Sequence, residues 1–265
     1  MSHTNKVLLI DADIFAYRFA VGHEYNYQRY NEKHRGDEDF EEAFLDDIVV
    51  DRVSAYIALD KHIRKCVKDT GCKRIHFIIS SSSNFRKEIY PEYKANRAEI
   101  PDPILRKELK EYILENYSSE VAPEGLEADD RIGILASELG KDKCVIASID
   151  KDLRQIAGWH YNWDKRTLEE VEPFEALVTY YTQVITGDTV DNYKGIQGKG
   201  KAFAAELIDA AIEDWEDDLE EGWDISLPEV IEERIEQAYE EAGLSKEYLE
   251  QMKKVAKILD KWCSY

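Results

Sequence analysis

Three short apolar segments, each followed at once by a polar residue, constrain the fold of this chain most strongly. They are residues 6–10 before Asp11, residues 75–79 before Ser80, and residues 144–149 before Asp150. Short, nearly continuous apolar segments rich in β-branched residues are typical of strands that are buried on both faces. Segments with helical periodicity lie between them, at 48–67, 104–117 and 128–139. This alternation predicts an α/β fold with a central, mostly parallel sheet flanked by helices.

The carboxyl edge of the predicted sheet is the expected position of a functional site. In open α/β sheets, ligands bind beyond the carboxyl ends of the strands. Asp11 and Asp150 each follow a predicted strand, so we expect both carboxylates at this edge. Asp152 would point to the same side as Asp150, because side chains alternate along an extended strand.

The chain divides into two predicted regions. Residues 1–175 hold the predicted strands, interrupted by a long polar segment at 22–42 and a basic, aromatic segment at 84–103. Residues 176–265 are predicted to be helical, with a glycine-rich turn at 195–200 between two helices. We therefore expect an α/β core followed by a helical region.

The formal net charge of −21 is unusual for a protein that binds nucleic acid. Its distribution weakens that objection, because residues 209–250 contain 17 acidic and 2 basic side chains and leave −6 for the remainder. Affinity for nucleic acid depends on local phosphate contacts, whereas net charge governs solubility and long-range steering. We interpret the acidic segment as a solvated helical face; the alternative is a surface that repels or mimics nucleic acid.

The cysteines and the lengths of the apolar segments indicate in which cellular compartment the protein is expected. Cys66, Cys72, Cys144 and Cys263 form no CxxC pair and have no histidine at zinc-ligand spacing, so free thiols are expected. No apolar segment approaches the roughly 20 residues that a spanning helix needs, and residues 1–6 lack an apolar signal core. We expect no membrane association and a cytoplasmic location, which is the host cytoplasm if a phage encodes the protein.

Eight acidic side chains are candidate metal ligands. Clustered carboxylates repel one another unless cations neutralise them, and hard divalent cations such as Mg²⁺ prefer oxygen ligands. Two such ions about 4 Å apart activate water and stabilise the entering and leaving oxygens of a phosphodiester. Acidic residues in a first helical turn also have an ordinary explanation, because they favour the helix N-terminus, and Asp13 is interpreted as structural. The candidates are Asp11, Glu127, Asp129, Asp130, Asp150, Asp152, Asp188 and Asp191.

Five motifs occur in order over residues 8–207. They are Leu9-Ile10-Asp11-Ala12, Phe85-Arg86-Lys87 with Tyr93-Lys94-Ala95-Asn96-Arg97, Gly125-Leu126-Glu127-Ala128-Asp129-Asp130, Asp150-Lys151-Asp152-Leu153, and Thr186-Gly187-Asp188-Thr189-Val190-Asp191-Asn192. With them the chain resembles the structure-specific 5′ nucleases, that is, flap endonucleases, phage 5′-3′ exonucleases and the nuclease domain of bacterial DNA polymerase I. The resemblance implies a PIN-like core and a 5′-3′ exonuclease or flap endonuclease that acts on DNA with 5′ ends, flaps or nicks.

The resemblance also implies roles for individual residues. Asp11, Glu127, Asp129 and Asp130 would serve one divalent ion (Mg²⁺ or Mn²⁺), and Asp150, Asp152, Asp188 and Asp191 a second. Catalytic positive charge near the scissile phosphate would come from Arg86, Lys94 and Arg97. Residues expected to contact DNA are Lys87, Tyr90, Tyr93, Gly195, Gly198, Lys199, Gly200 and Lys201, with the 195–200 turn as a helix-hairpin-helix-like element that binds duplex DNA and a potassium ion.

One departure from the family pattern affects the first ion. The family usually places an aspartate after the second strand, where this chain has Ser80-Ser81-Ser82-Ser83. A neutral hydroxyl is a weaker ligand for Mg²⁺ than a carboxylate. A variant first site compensated by Asp13 or water, a weakened first site and an inactivated protein are the three explanations; we favour an active enzyme with a modified first site.

Two alternative functions remain open. One is a PIN-like ribonuclease, or a nuclease that removes RNA primers from RNA–DNA hybrids, because a contact to the 2′-hydroxyl group can come from many residue types. The other is a catalytically weakened DNA-binding protein, which the serines at 80–83 support. The sequence does not decide the oligomeric state, although a monomer is favoured.

Overall fold

The computed structural model describes residues 3–26, 48–98, 100–221 and 223–261 of the chain. Its strands are β1 (Val7–Asp11), β2 (Glu24–Asn26), β3 (Ile48–Val50), β4 (Arg74–Ile79), β5 (Ser119–Val121), β6 (Cys144–Ala147), β7 (Gly158–Asn162), β8 (Thr167–Val171), β9 (Gly187–Asp188) and β10 (Tyr193–Lys194). Its α-helices are α1 (Ala12–Gly22), α2 (Arg52–Thr70), α3 (Arg86–Ile89), α4 (Ile104–Asn116), α5 (Ala128–Leu139), α6 (Pro173–Thr186), α7 (Lys201–Glu221), α8 (Leu227–Glu241) and α9 (Lys246–Ala256).

A six-stranded sheet forms the centre, in the order β5-β4-β1-β6-β7-β8. Each neighbouring pair is parallel except β7 and β8. Strand β1 lies between β4 and β6, so that Ile10 is opposite Phe77 on one side and Ala147 on the other. The carboxyl ends of these three strands meet at one edge, and the predicted α/β fold with a mostly parallel sheet is confirmed.

Both faces of the sheet are covered, as the apolar segments predicted. Leu8 and Ile10 point into one buried cluster with Phe15, while Leu9 points into another with Ile132 on α5. Burying one such side chain contributes about 1.5–3 kcal/mol, so alternate residues of β1 anchor helices on opposite faces. This double burial fixes the register of β1 and with it the position of Asp11.

One predicted helix begins later than expected. The helix expected at 48–67 starts at Arg52, because residues 48–50 form β3, which pairs antiparallel with β2. Asp51 caps α2 by accepting a hydrogen bond from the Ser54 backbone N–H at 3.0 Å. Most of the polar segment predicted at 22–42 lies outside the described residues.

The helical region follows the sheet. Helix α6 begins with a reciprocal capping box between Glu172 and Glu175, so the predicted boundary after residue 175 falls in its first turn. Helices α6 to α9 share a third apolar cluster, which includes Val184, Ile231 and Met252. The chain then returns to the sheet, where Ile258 packs with Leu9 and Ile132. The division into two domains stays a prediction.

Two further expectations concern the membrane and the thiols. No helix in the described ranges is long and apolar enough to cross a bilayer. Cys66, Cys72 and Cys144 are buried free thiols, as expected, and burial raises the pKa of Cys66 to about 12. Cys263 lies outside the described residues.

Candidate metal centre and nucleic-acid site

The first two acidic side chains of the site stand at the ends of adjacent strands. Asp11 ends β1, where its carboxylate accepts hydrogen bonds from the backbone N–H groups of Asp13 at 3.0 Å and Ile14 at 3.3 Å. It therefore caps α1, which is the ordinary role for such a residue. Asp150 follows β6 after a short loop. Ser148 links the two, because its hydroxyl donates to Asp11 Oδ2 at 3.4 Å and accepts from the Asp150 backbone N–H at 3.0 Å.

Glu127 and Asp129 enter the same edge from the start of α5. Glu127 has an extended backbone (φ −83°, ψ 165°), so it lies just outside the helix. Gly125, with φ +84°, makes the preceding turn. This geometry allows both carboxylates to face the site, although they would diverge on a regular helix. Asp129 lies in the electrostatic field of Asp11, Asp150 and Glu127.

The remaining candidates approach from the turn after α6. Tyr93 Oη donates to Glu127 Oε2 at 2.9 Å and to Asp191 Oδ2 at 2.8 Å, so these two carboxylate oxygens share one hydroxyl group. Lys94 Nζ also contacts both, at 2.5 Å from Glu127 Oε1 and 3.4 Å from Asp191 Oδ2. Asp188 is buried, and its Oδ2 accepts a hydrogen bond from Lys151 Nζ at 2.7 Å. Side chains that are 64 residues apart in the chain therefore converge.

Lys94 adopts a backbone conformation that non-glycine residues rarely use. Its φ is +56°, and its backbone N–H donates to the Asp191 carbonyl oxygen at 2.8 Å. Such a conformation costs about 1–3 kcal/mol and persists only where surrounding contacts enforce it. The enforced turn aims the ammonium group between Glu127 and Asp191. Arg97, whose side chain is 47% exposed, contacts Asp191 Oδ1 at 2.5 Å from the solvent side.

The acidic side chains carry more buried negative charge than the nearby cations compensate. Burial first, and then the carboxylates of Asp13 and Asp150, raise the pKa of Asp11 to about 7. Burial and Asp150 raise the pKa of Asp152 to about 7 as well. The pKa of Asp129 lies well above its ordinary value, chiefly through burial and then through Asp11. Protonation or a bound cation relieves this repulsion.

The donor set fits a hard divalent cation, because every donor that converges at this edge is an oxygen. Across residues 3–26, 48–98, 100–221 and 223–261, however, no three His, Cys, Asp or Glu side chains are grouped closely enough to hold one ion. Lys94 Nζ and Tyr93 Oη both lie between Glu127 and Asp191 and contact the two carboxylates.

Two predicted site residues pair with each other instead of facing the site. Arg86 is 3% exposed and Asp130 is fully buried, and two hydrogen bonds of 2.7 Å join them. The other donors of Arg86 go to Glu127 and to the carbonyl oxygens of Val255 and Lys257. The guanidinium group has no donor left for a phosphate. In this structure Arg86 and Asp130 form a buried ion pair, so a catalytic Arg86 and Asp130 as a metal ligand stay predictions.

The aromatic candidates are corrected in part. Tyr93 is 3% exposed and packs in the apolar cluster of the helical region, so its ring is not available to stack on a base. Its hydroxyl group serves the carboxylates instead. Tyr90 is half-buried beside Tyr248, and burial raises its pKa to about 12. Lys87 is exposed on α3.

The glycine-rich turn lies between α6 and α7, as predicted. Gly195 is buried, and a Cβ atom there would lie 2.2 Å from the Ile185 carbonyl oxygen, so only glycine fits. Gly198 has φ +78°. Gly198, Lys199, Gly200 and Lys201 are exposed, and Lys199 Nζ lies 4.1 Å from the centre of the Phe203 ring.

The serines at 80–83 stabilise loops beside the site. Ser80 Oγ accepts from the Ala128 backbone N–H at 2.9 Å, and Ser81 Oγ donates to the Ser83 carbonyl oxygen at 2.7 Å. Asp13 is paired with Lys110 and accepts from the Ser80 backbone N–H at 2.8 Å. The structural interpretation of Asp13 agrees with these contacts, whereas compensation by Asp13 for a missing ligand does not.

Sequence reasoning missed three polar residues that hold the site together: Ser148, Gln155 and Gln183. Ser148 lies two residues before Asp150 at the end of a predicted strand. This position could have marked it from the sequence as a residue of the site. Gln155 follows Asp152 by one helical turn. Gln183 lies on α6, and nothing in its local sequence connects it with Asp152.

The protein is thus an α/β protein whose mostly parallel sheet gathers acidic side chains at its carboxyl edge. The model of the family described as the 5′-3′ exonuclease, N-terminal resolvase-like domain, matches residues 6–180. The chain belongs to this family.

Two relatives show the extent of the similarity. DNA polymerase I of Thermus thermophilus is 30% identical over 219 residues, which are 74% of this chain and 25% of that protein. Flap endonuclease Xni of Shewanella baltica is 30% identical over 138 residues, which are 47% of this chain and 52% of that protein. The chain thus spans about a quarter and about half of the lengths of these relatives.

A solved structure has the same fold over nearly the whole chain. It is the flap endonuclease of bacteriophage T5 in a pseudo-enzyme-product complex with DNA and metal ions. The TM-score is 0.57 at 16% sequence identity, and the match covers 95% of this chain and 99% of that one. The helical region is therefore part of the shared fold.

Proposed function

We propose that this chain is a divalent-metal-dependent 5′-3′ exonuclease or flap endonuclease that hydrolyses phosphodiester bonds of DNA. One observation carries the proposal: Asp11, Glu127, Asp129, Asp150 and Asp191, from separate segments, interact at one edge of the sheet. Family membership supports it, since relatives include a flap endonuclease and a DNA polymerase I.

Two groups of residues would hold the ions. Asp11, Glu127 and Asp129 form the first group, and Asp150, Asp152, Asp188 and Asp191 form the second. When bound, Mg²⁺ or Mn²⁺ would activate a water molecule and stabilise charge on the oxygens of the phosphodiester. The T5 flap endonuclease, whose fold this chain shares, was solved with metal ions. The two-ion mechanism is a proposal for this chain.

Lys94 and Arg97 supply positive charge for the scissile phosphate. Both contact Asp191 at the border of the acidic cluster, Lys94 from the buried side and Arg97 from the solvent side. Positive groups held beside a developing phosphate charge stabilise it without reorganisation. We assign catalytic roles to these two residues and not to Arg86.

The helical region would hold the DNA. Residues 197–201 of the glycine turn are exposed and include Lys199 and Lys201, whose charges suit contacts to phosphate without base recognition. Beside it, a cavity of about 360 Å³ is lined by Lys201, Arg154, Thr182 and Asp188. Because its lining includes both Lys201 beside the turn and the candidate ligand Asp188, this cavity supports the proposal that DNA lies here. Four expectations stay predictions: a potassium ion at the turn, Lys87 as a DNA contact, a monomeric state and a cytoplasmic location.

Cleavage of defined DNA substrates tests the proposal. A labelled 5′-flap substrate and a nicked duplex are incubated with Mg²⁺, Mn²⁺ or EDTA, and product lengths are resolved. We expect short 5′ products that require the divalent ion, and their loss in an Asp150→Asn variant. Asp142→Asn, which changes an exposed aspartate remote from the cluster, is the matched control. Matched RNA and hybrid substrates distinguish the ribonuclease alternative.

The serines at 80–83 favour one second candidate, a catalytically weakened DNA-binding protein. Neither Ser80 nor Ser81 offers a carboxylate, and both hydroxyl groups are engaged in loop contacts. This candidate predicts binding to junctioned DNA without cleavage in Mn²⁺. A Ser81→Asp variant tests the first ion site directly: a lower Mg²⁺ requirement indicates a weakened site, and an unchanged profile excludes that explanation.

A further inference from the structure

Asp152 is held by a chain of two glutamine side chains. The Gln183 side-chain amide on α6 donates to Asp152 Oδ1 at 2.5 Å. Gln183 is only 8% exposed, so its amide group depends on protein partners. The only cation near Asp152 among the described residues is Lys151, at 3.9 Å, and its ammonium group lies closer to Asp188, at 2.7 Å. The orientation of Asp152 therefore depends on Gln183.

Gln155 continues the chain to the C-terminal segment, residues 255–259. Its side-chain amide donates to the carbonyl oxygen of the Gln183 side chain and, at 2.8 Å, to the Ala256 backbone carbonyl oxygen. Its own side-chain oxygen accepts from the Ile258 backbone N–H at 3.0 Å. Because a backbone N–H can only donate, this contact fixes which way the Gln155 amide faces. The Gln183 amide is fixed in turn, and its NH₂ group must face Asp152.

The C-terminal segment is a firm anchor for this chain. Its Val255 and Lys257 carbonyl oxygens also accept hydrogen bonds from Arg86. Its Leu259 backbone N–H donates to Asp130 at 3.2 Å. It lies so close to α5 that a Cβ atom added at Gly133 would be 2.2 Å from the Leu259 carbonyl oxygen. One segment thus supports the acidic residues at both sides of the cluster.

We propose that Gln183 and Gln155 are positioning residues which, anchored by the backbone of Ala256 and Ile258, hold the Asp152 carboxylate in place as a ligand of the second metal group. The inference rests on the proposed function. Groups that hydrogen-bond to a metal ligand fix its orientation, and their loss typically weakens metal binding about 10- to 100-fold. The ordinary alternative is that both glutamines only satisfy buried backbone groups.

Calorimetric titration of the whole chain with Mn²⁺ distinguishes a positioning role of the two glutamines from a purely structural one. The variants are Gln183→Leu, Gln155→Leu and their combination, with Gln237→Leu on the exposed face of α8 as the matched control. We expect wild type and the control to bind two ions. Gln183→Leu should bind one of them about 10- to 100-fold more weakly and the other with unchanged affinity.

The double variant sharpens the test. Because both residues act through one hydrogen-bonded chain, Gln155→Leu should add little further loss of Mn²⁺ affinity in the Gln183→Leu background. Gln183→Leu leaves the contacts of the C-terminal segment intact, so it remains informative if Gln155→Leu fails to fold. Melting temperatures in EDTA report the structural contribution separately.

Two results would overturn the inference in distinguishable ways. If Gln183→Leu only lowers the melting temperature in EDTA while both Mn²⁺ affinities stay at wild-type values, the glutamines are structural and the proposed function survives. If wild type itself binds no Mn²⁺, the proposed function and the positioning role fail together.

Discussion

Two regions of this molecule are rich in carboxylates, and they behave differently. At the sheet edge, burial raises the pKa values of Asp11 and Asp152 to about 7. In the acidic segment at 209–250, Glu216 and Glu220 are exposed, and Asp214 pairs with Arg234. Water solvates and screens the charges of the second region, whereas the first retains a repulsion that a divalent ion would relieve. We therefore expect metal binding where the negative charge is buried and not merely where it is dense.

The largest expected effect comes from removing one carboxylate at the sheet edge. Asp11→Asn should lower the cleavage rate about a thousandfold, because a lost ligand forfeits several kcal/mol of transition-state stabilisation and each 1.36 kcal/mol is a factor of ten. Single-turnover cleavage of a 5′-flap substrate in Mg²⁺ measures the rate. A loss smaller than about tenfold would mean that Asp11 is only the cap of α1.

The next effect is on stability and concerns the buried ion pair beside the cluster. Arg86→Met leaves Asp130 buried and unpaired, which should lower the free energy of unfolding by about 3–5 kcal/mol. Urea denaturation monitored by tryptophan fluorescence measures it. Adding Asp130→Leu to the same chain should recover most of the loss, since no isolated charge remains buried. A double variant as unstable as the single one would contradict the structural role.

A third prediction concerns how stability and Mn²⁺ affinity depend on pH through the buried carboxylates at the sheet edge. The pKa of Asp11 in the folded protein is about 7 against an ordinary value of 3.8, so between these values the folded metal-free protein holds a proton that the unfolded chain has lost. Its stability should therefore fall as pH rises through this window. Metal binding must release that proton, so Mn²⁺ affinity should rise about tenfold from pH 6 to pH 8 and level off above.

Calorimetry in buffers of different ionisation enthalpy measures the released protons. At pH 6 we expect at least one proton per molecule, and at pH 8 almost none. Equal proton release at both values would show that the buried carboxylates are already ionised in the metal-free protein.

The smallest effect is expected in the acidic helical segment. Glu216→Gln and Glu220→Gln change exposed side chains, so the cleavage rate should stay within about twofold of wild type. The same single-turnover assay at low and moderate salt provides the measurement. A large increase in DNA affinity in either variant would instead indicate a surface that repels nucleic acid.

Local pattern was sufficient to predict the sheet edge but not its supporting contacts. The apolar segments before Asp11 and Asp150 predicted both strands correctly, because burial on two faces leaves a recognisable composition. The pairing of Arg86 with Asp130 joins residues 44 positions apart, and its stability depends on backbone carbonyl groups of the C-terminal segment. The spacing of apolar residues along the sequence gives no information about such long-range contacts. Glu127 and Asp129 converge because the backbone is extended at Glu127, an arrangement that the preceding Gly125 permits and that the sequence therefore allowed us to anticipate.

Crystals soaked in Mn²⁺ and measured at the manganese absorption edge show directly whether the acidic side chains at the sheet edge bind metal ions. We expect two anomalous peaks about 4 Å apart, with Lys94 displaced from the space between Glu127 and Asp191. One peak should lie at Asp11, Glu127 and Asp129, and the other at Asp150, Asp152, Asp188 and Asp191. Peaks confined to the exposed carboxylates of residues 209–250, with none at the sheet edge, would contradict this expectation.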